Sequence, residues 1–264
     1  MITSPGNPKI KNVLLLQSKS KARREQDAFV VEGIRMFLEA PISRIREVYI
    51  SESFSVSDAA AKKIDECKAA GAYAETVSSE VFKKLSDTVT PQGILCVMRA
   101  FHYEPSDLLD GEAPLLLIAE DIQDPGNLGT MIRTGEGAGI SGIVMTSDTV
   151  DIYNPKVIRA TMGSIYRVPF LVTKDLPTFV KTLKGRGITT YAAHLAGTKT
   201  YDVCDFTRGS AFLIGNEGNG LKKETADAAD TYMKIPMEGG VESLNAAIAS
   251  AVLLYEAARQ RRQT

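Results

Sequence analysis

The sequence predicts an α/β protein, with a parallel sheet in its second half and a smaller α/β domain before it. Three observations lead there. Short, nearly unbroken apolar runs recur after residue 114, such as Leu115-Leu116-Leu117-Ile118-Ala119 and Ala211-Phe212-Leu213-Ile214, and such runs suit strands buried on both faces. Segments with helical spacing of apolar residues separate these runs, so strand and helix alternate as in a sheet covered by helices. Residues 103–114 are polar and punctuated by Pro and Gly, which marks a linker between a domain over 1–102 and one over 115–264.

The first half opens with a loop and a helix within 4–24. Asn7-Pro8 starts the helix, and Val13, Leu14 and Leu16 give it an apolar side. Residues 29–33 read as a strand ending in a turn, 34–40 as helix and 47–50 as strand. A helix over 59–70 is closed by Gly71. A short helix over 81–85 and a strand over 93–98 complete this domain. In the second half the strands fall at 115–119, 142–145, 168–172, 188–193, 211–214 and 232–235. Helices are expected at 128–138, 155–162, 176–184 and 222–229, with a long one from about 244 to 261. No internal repeat or low-complexity segment interrupts the alternation.

A chain of 264 residues suffices for two ordinary domains. No apolar run approaches the roughly 20 residues of a membrane helix, and Met1-Ile2-Thr3-Ser4-Pro5 carries no apolar signal region, so a cytoplasmic location is expected. Cys67, Cys96 and Cys204 lie far apart, which argues against a disulfide framework and a zinc site. With only His102 and His194, no metal is expected, and a lone His194 reads as structural. The net charge of −1 does not mark a nucleic-acid binder, but its distribution does: residues 1–46 hold nine Lys or Arg against four Asp or Glu. Lys19, Lys21, Arg23 and Arg24 cluster as phosphate contacts would, the alternative being a solvated helix face.

Three stretches hold the candidate chemistry. The run 120–134 is a strand end feeding a helix, the place where open α/β sheets bind ligands, and it carries Glu120, Asp121, Asp124, Asn127 and Arg133. With Asn127 as the helix cap and Arg133 projecting beyond it, both reach one crevice, the alternative being a capped helix with a solvated Arg133. Gly215-Asn216-Glu217-Gly218-Asn219-Gly220 follows another strand. A strand-to-helix turn needs fewer glycines, so this is read as a ligand loop. It is not a dinucleotide fingerprint, nor is Gly135-Glu136-Gly137-Ala138-Gly139-Ile140, and there is no P-loop. The third stretch, 235–247, ends a strand at Pro236 and begins the last helix at Ser243 or Leu244, with Ser243 placed to cap it.

Together these stretches resemble the three motifs of the SpoU (TrmH) family of the SPOUT superfamily, RNA 2′-O-ribose methyltransferases that use S-adenosylmethionine. The match covers about 113–262. Residues 1–102 look, more weakly, like the ribosomal-protein-like substrate-binding domain of many members. Asn154-Pro155-Lys156, Arg159 and Gly163 are similar to ribosomal-RNA-directed members. Ala246-Ala247-Ile248 stands where many relatives have Val-Ser-Val, so any role of that hydroxyl is absent.

The resemblance implies a C-terminal trefoil knot, a homodimer and no metal. It places the adenosyl group on backbone at Gly215, Ile235 and Leu244, between Leu195 and Met237, with Asn216, Glu217 and Gly220 in the same cofactor loop. It maps Asn127, Arg133, Glu217, Ser243 and Asn245 to catalytic or RNA-contacting positions. Arg133 is then the activator of the hydroxyl, with Glu217 orienting it or hydrogen-bonding other groups. Ribosomal RNA is expected over transfer RNA. The alternatives are a transfer-RNA 2′-O-methyltransferase, a non-catalytic RNA-binding assembly factor on this fold, and an enzyme methylating protein or a small molecule.

Overall fold

The computed structural model describes residues 1–263. The chain forms two compact units: Met1–Phe101 with Asp151–Tyr166, and His102–Val150 with the chain from Arg167 onward.

The first unit is built on β1 (Ala28–Glu32), β2 (Ile45–Ser51), β3 (Tyr73–Val77) and β4 (Ile94–Arg99), in the order β1-β4-β2-β3. β4 runs antiparallel to β1 and β2, while β2 and β3 are parallel. Around the sheet lie α1 (Pro8–Ser18), α2 (Ser20–Gln26), α3 (Ile34–Glu39), α4 (Asp58–Ala69) and α5 (Ser79–Leu85). Asn7 caps α1 and Pro8 is its first residue, as expected. Ile10, Val13 and Leu16 of α1 are buried with Val30, Tyr49, Phe82 and Leu85. The basic cluster divides. Lys19, Lys21 and Arg24 are exposed, but Arg23 is 5 % exposed. Its guanidinium donates to the Leu16 and Gln17 carbonyls and pairs with Asp151 at 2.7 Å, so Arg23 is a structural tie and not a phosphate contact.

In chain order the second half runs α6 (Pro105–Leu109), β5 (Leu115–Ala119), α7 (Pro125–Ala138), β6 (Gly142–Thr146), α8 (Pro155–Thr161), β7 (Phe170–Thr173), α9 (Leu176–Lys184), β8 (Thr189–Ala193), β9 (Lys199–Thr200), β10 (Ser210–Ile214), α10 (Lys223–Ala228), β11 (Thr231–Lys234) and α11 (Ala246–Arg261). All but α8 belong to the second unit. Its sheet has the order β7-β6-β5-β10-β8-β11-β9, parallel throughout, which is the architecture that the apolar runs foretell. Every residue of β5 and β10 is buried.

β10 slots between β5 and β8, so the strand order turns back on itself there. Such a switch point opens a crevice beyond the C-terminal strand ends. The cap assignments differ from expectation. Asp124, not Asn127, caps α7, its Oδ1 accepting from Asn127 N at 2.7 Å. Asn245, not Ser243, caps α11, its Oδ1 accepting from Ala247 N and Ile248 N. Both shifts free the expected cap side chain for other work. Among the described residues no helix is long and apolar enough to cross a membrane.

Candidate active site

A cleft of about 320 Å³ opens at the C-terminal ends of β8, β10 and β11. That size lies at the lower end of small-molecule sites, which run from roughly 300 to 1,000 Å³. Leu195, Gly215, Asn216, Glu217, Gly220, Ile235, Met237, Ser243 and Leu244 all line it, so the structure brings these expected residues together. Lys234 and Glu242 line it too, without having been expected there, and so does His194, which as a lone histidine at a strand's end reads as structural. Their position beside expected lining residues was the available signal. His194 Nδ1 accepts from Ala196 N at 3.1 Å and its ring stacks on Tyr232, which holds the strand exit in place.

The glycine-rich loop is closed on itself and gripped from outside. Asn216 N donates to Gly220 O at 3.1 Å and Gly220 N returns a bond to Asn216 O at 2.9 Å. Asn216 Oδ1 accepts from Gly218 N and Asn219 N. Gly215 has no room for a side chain: a Cβ would fall 2.1 Å from the Gly220 carbonyl carbon. Gly220 has φ +67°, the left-handed region that glycine tolerates. The end of β5 holds both sides of the loop. Asn216 Nδ2 donates to Asp121 O, and Lys222 N and Thr225 Oγ1 donate to the buried Glu120 carboxylate. Lys222 Nζ pairs with Asp121 at 2.8 Å. Burial pushes the Asp121 carboxyl up, but hydrogen bonds from Lys222 and Thr146 outweigh it and hold it below its ordinary value.

A relay of side chains joins the three expected motifs. Asn245 Nδ2 donates to Asn127 Oδ1 at 2.9 Å, and Asn127 Nδ2 donates to Glu217 Oε1 at 2.9 Å. Glu217 also accepts from Gln123 N and Asp124 N, each at 3.2 Å. Partial burial pushes the Glu217 carboxyl up, yet the Asn127 amide and backbone N–H groups hold it below its ordinary value. An ionised carboxylate with this many donors is an anchor and a weak base. Of the two roles open to Glu217, the structure shows hydrogen bonding to other groups and not orientation of Arg133.

Arg133 stands apart. It is exposed on α7, does not line the cleft, and makes no hydrogen bond or ion pair among the described residues. Its N–H groups are therefore available to a substrate. No group of His, Cys, Asp and Glu suited to a metal occurs among the described residues.

The profile of the SpoU rRNA Methylase family matches residues 114–255, and that of an MRM3-like substrate binding domain matches 7–96. The 23S rRNA (guanosine(2553)-2′-O)-methyltransferase RlmP of Bacillus subtilis is 33% identical over 256 residues, covering 96% of this chain and 97% of that one. The human mitochondrial rRNA methyltransferase 3 is 29% identical, over 98% of this chain and 74% of its own length. An AdoMet-bound rRNA methyltransferase from Sinorhizobium meliloti superposes with a TM-score of 0.85 at 29% identity, covering 98% of this chain and 97% of that one.

Proposed function

Because the chain belongs to the SpoU rRNA methylase family, we propose that it methylates a ribose 2′-hydroxyl of ribosomal RNA with S-adenosylmethionine as donor. The observation that carries this is the Asn245–Asn127–Glu217 relay, which ties all three motifs together beside one cleft of cofactor size.

The cleft fits the cofactor chemically. Leu195, Ile235, Met237 and Leu244 offer apolar walls for a flat base, while backbone at Gly215, Ile235 and Leu244 offers the polar contacts that orient it. When bound, the cofactor supplies an electrophilic methyl on a sulfonium. The protein must hold the ribose oxygen in line with that methyl and help it shed its proton. Arg133 is unsuited to take the proton, since a guanidinium stays protonated in proteins. It stabilises negative charge growing on the 2′-oxygen and holds a neighbouring phosphate. Asn127, Ser243 and Asn245 position the sugar beside it.

The first unit binds RNA, and the enzyme works as a homodimer in the cytoplasm. α11 leaves Ile248 and Tyr255 about half exposed on one side. Gly137 of α7 lies against the Tyr255 hydroxyl, and Arg133 stands one turn before Gly137 on the same side. A second copy seated on that α7–α11 face covers the apolar side chains and brings Arg133 into the shared site. A strand order in which β10 enters between β5 and β8, followed by the return of α11 onto α7, supports a knotted C-terminal segment.

The test combines ribosomal RNA, the cofactor and protein, and maps 2′-O-methyl groups by mass spectrometry. Arg133→Ala should lower the rate about 10²–10³-fold, as loss of a transition-state donor does, with cofactor affinity unchanged. A protein that takes the cofactor but leaves every ribose unmodified would sink the reading. Arg133→Lys turning over near the wild-type rate would remove the planar, two-pronged role alone.

A further inference from the structure

Three non-glycine residues among those described have a left-handed backbone: Asp27, Asp121 and Met162. Asp27 follows α2 and Met162 follows α8, and a left-handed residue is an ordinary end for a helix. Asp121 ends no helix. It comes two residues after β5, at φ +53°, and stands before α7. A residue with a Cβ takes this conformation at a cost, and such residues gather where a ligand is handled.

Every polar group of Asp121 is bonded. Its N donates to Thr146 Oγ1 at 2.8 Å, its Oδ1 accepts from that hydroxyl at 2.7 Å, and its Oδ2 pairs with Lys222 Nζ at 2.8 Å. Its carbonyl accepts twice, from Asn216 Nδ2 at 2.8 Å and from Gln123 Nε2 at 3.0 Å. The two donors come from different motifs. Asn216 closes the glycine-rich loop on Gly220, whereas Gln123 leads into α7 and gives its own N–H to Glu217. One carbonyl therefore sets the spacing between the cofactor loop and the segment that carries Asn127. Rotating φ into the negative range would re-aim the peptide around it and part the two donors.

We propose that Asp121 is a positioning residue for methyl transfer: its left-handed backbone, and not its charge, holds the glycine-rich loop in the shape that takes the cofactor. This rests on the S-adenosylmethionine reading of the cleft and says what presents that loop to it. Asp121 is not among the residues lining the cleft, so it acts through Asn216 and Gln123. The carboxylate is the weaker candidate. Its partner Lys222 has a side chain 51% exposed, and an ion pair open to water contributes little. Asp and Asn are also the side chains that visit the left-handed region most readily after glycine, which accounts for an acid here without its charge.

The experiment titrates S-adenosylmethionine by calorimetry into the full chain carrying Asp121→Asn, Asp121→Gly or Asp121→Ala. All three remove the carboxylate and differ in how readily they take φ +53°. Asp121→Asn and Asp121→Gly should bind the cofactor within about threefold of wild type, since both adopt the conformation with little strain. Asp121→Ala should bind about tenfold more weakly, because its Cβ carries the left-handed cost with no polar group to offset it. Single-turnover methylation of ribosomal RNA at saturating cofactor should return most of the lost rate in Asp121→Ala, so the defect lies in KM and not in kcat. Equal weakening in Asp121→Gly and Asp121→Ala would make the carboxylate the agent and overturn the proposal. So would an Asp121→Ala protein with a lowered thermal midpoint and wild-type cofactor affinity, the mark of a merely structural role. Asp121→Gly answers even where Asp121→Ala does not fold, for a tenfold loss of affinity in it is enough to overturn the assignment. These results leave the enzyme reading standing; wild-type protein that takes no cofactor removes that reading and this inference together.

Discussion

Two glycine-bearing loops face each other across the cleft, and they are built in opposite ways. In 215–222 the backbone bonds to itself and, at Lys222 N, to the Glu120 carboxylate, the Asn216 side chain donates to Asp121 O, and Glu217 reaches out to Gln123, Asp124 and Asn127. Residues 236–244, on the other wall, make no hydrogen bond among the described residues. Their glycines differ in the same sense. A Cβ on Gly215 would strike backbone, whereas one on Gly239 or Gly240 would meet nothing within 4 Å. The same residue type thus serves two ends: close approach of chain to chain in one loop, unhindered backbone in the other. The first loop is organised before any ligand arrives, so its ordering cost is met in folding and not in binding. The second keeps its N–H and C=O groups for a ligand.

Substituting the glycines breaks the comparison most sharply. Gly215→Ala should weaken cofactor binding roughly a hundredfold, because the overpacked atom meets backbone that cannot turn away. Gly240→Ala should stay within about twofold, for its Cβ enters open space. Calorimetry with S-adenosylmethionine measures both, and equal effects would erase the distinction between the loops.

Asn127→Ala should come next. It removes the amide linking Glu217 to Asn245, leaves a charged acceptor short of a donor, and should cost about tenfold in kcat/KM. Unlike a change at Arg133, it should loosen the cofactor as well as slow transfer.

Acid should act on the bonded loop before the open one. The folded Glu217 carboxyl titrates below its ordinary 4.5. Its contribution is therefore complete above pH 4.5 and is lost as pH falls through the lower folded value. Cofactor affinity should be flat from pH 8 to about 5 on this account and decline only in stronger acid. Glu217→Gln should remove that acid limb.

The smallest expected effect is a difference in exchange rates. Backbone amides at 236–244 should exchange quickly in the free protein and slow severalfold with cofactor bound, while those of 215–221 barely change. Amides at 236–244 that are already protected without ligand would show the open loop to be held by something else.

The side of the site that organises itself was the more legible in the sequence. Three glycines with an embedded carboxylate after an apolar strand exceed what a turn requires, and that excess pointed to Gly215–Gly220. The β5–α7 junction announced itself through Asp124-Pro125-Gly126-Asn127. The relay did not, because it rests on cap positions two and three residues from those expected. Asp124 and Asn245 take the caps, and only then is Asn127 free to bridge. β3 escaped notice because Tyr73-Ala74-Glu75-Thr76 is only half buried and shows no apolar run. α6 lies inside the stretch read as linker, a helix of five residues too short to show a period. The charge run at 19–24 misled at one position. Composition cannot say which of four cations turns inward, and Arg23 does so for a carboxylate 128 residues later.

That ion pair has a consequence for the order of synthesis. Asp151 comes after β5 and β6 in the chain, so the ribosome has already produced two strands of the second sheet before the first unit has all its parts. Until then the Arg23 guanidinium has only carbonyls for company. A fragment cut at the apparent linker would therefore carry a buried cation without its counter-ion. Expressing the first unit alone calls for grafting residues 151–166 onto its end, not for a cleaner cut.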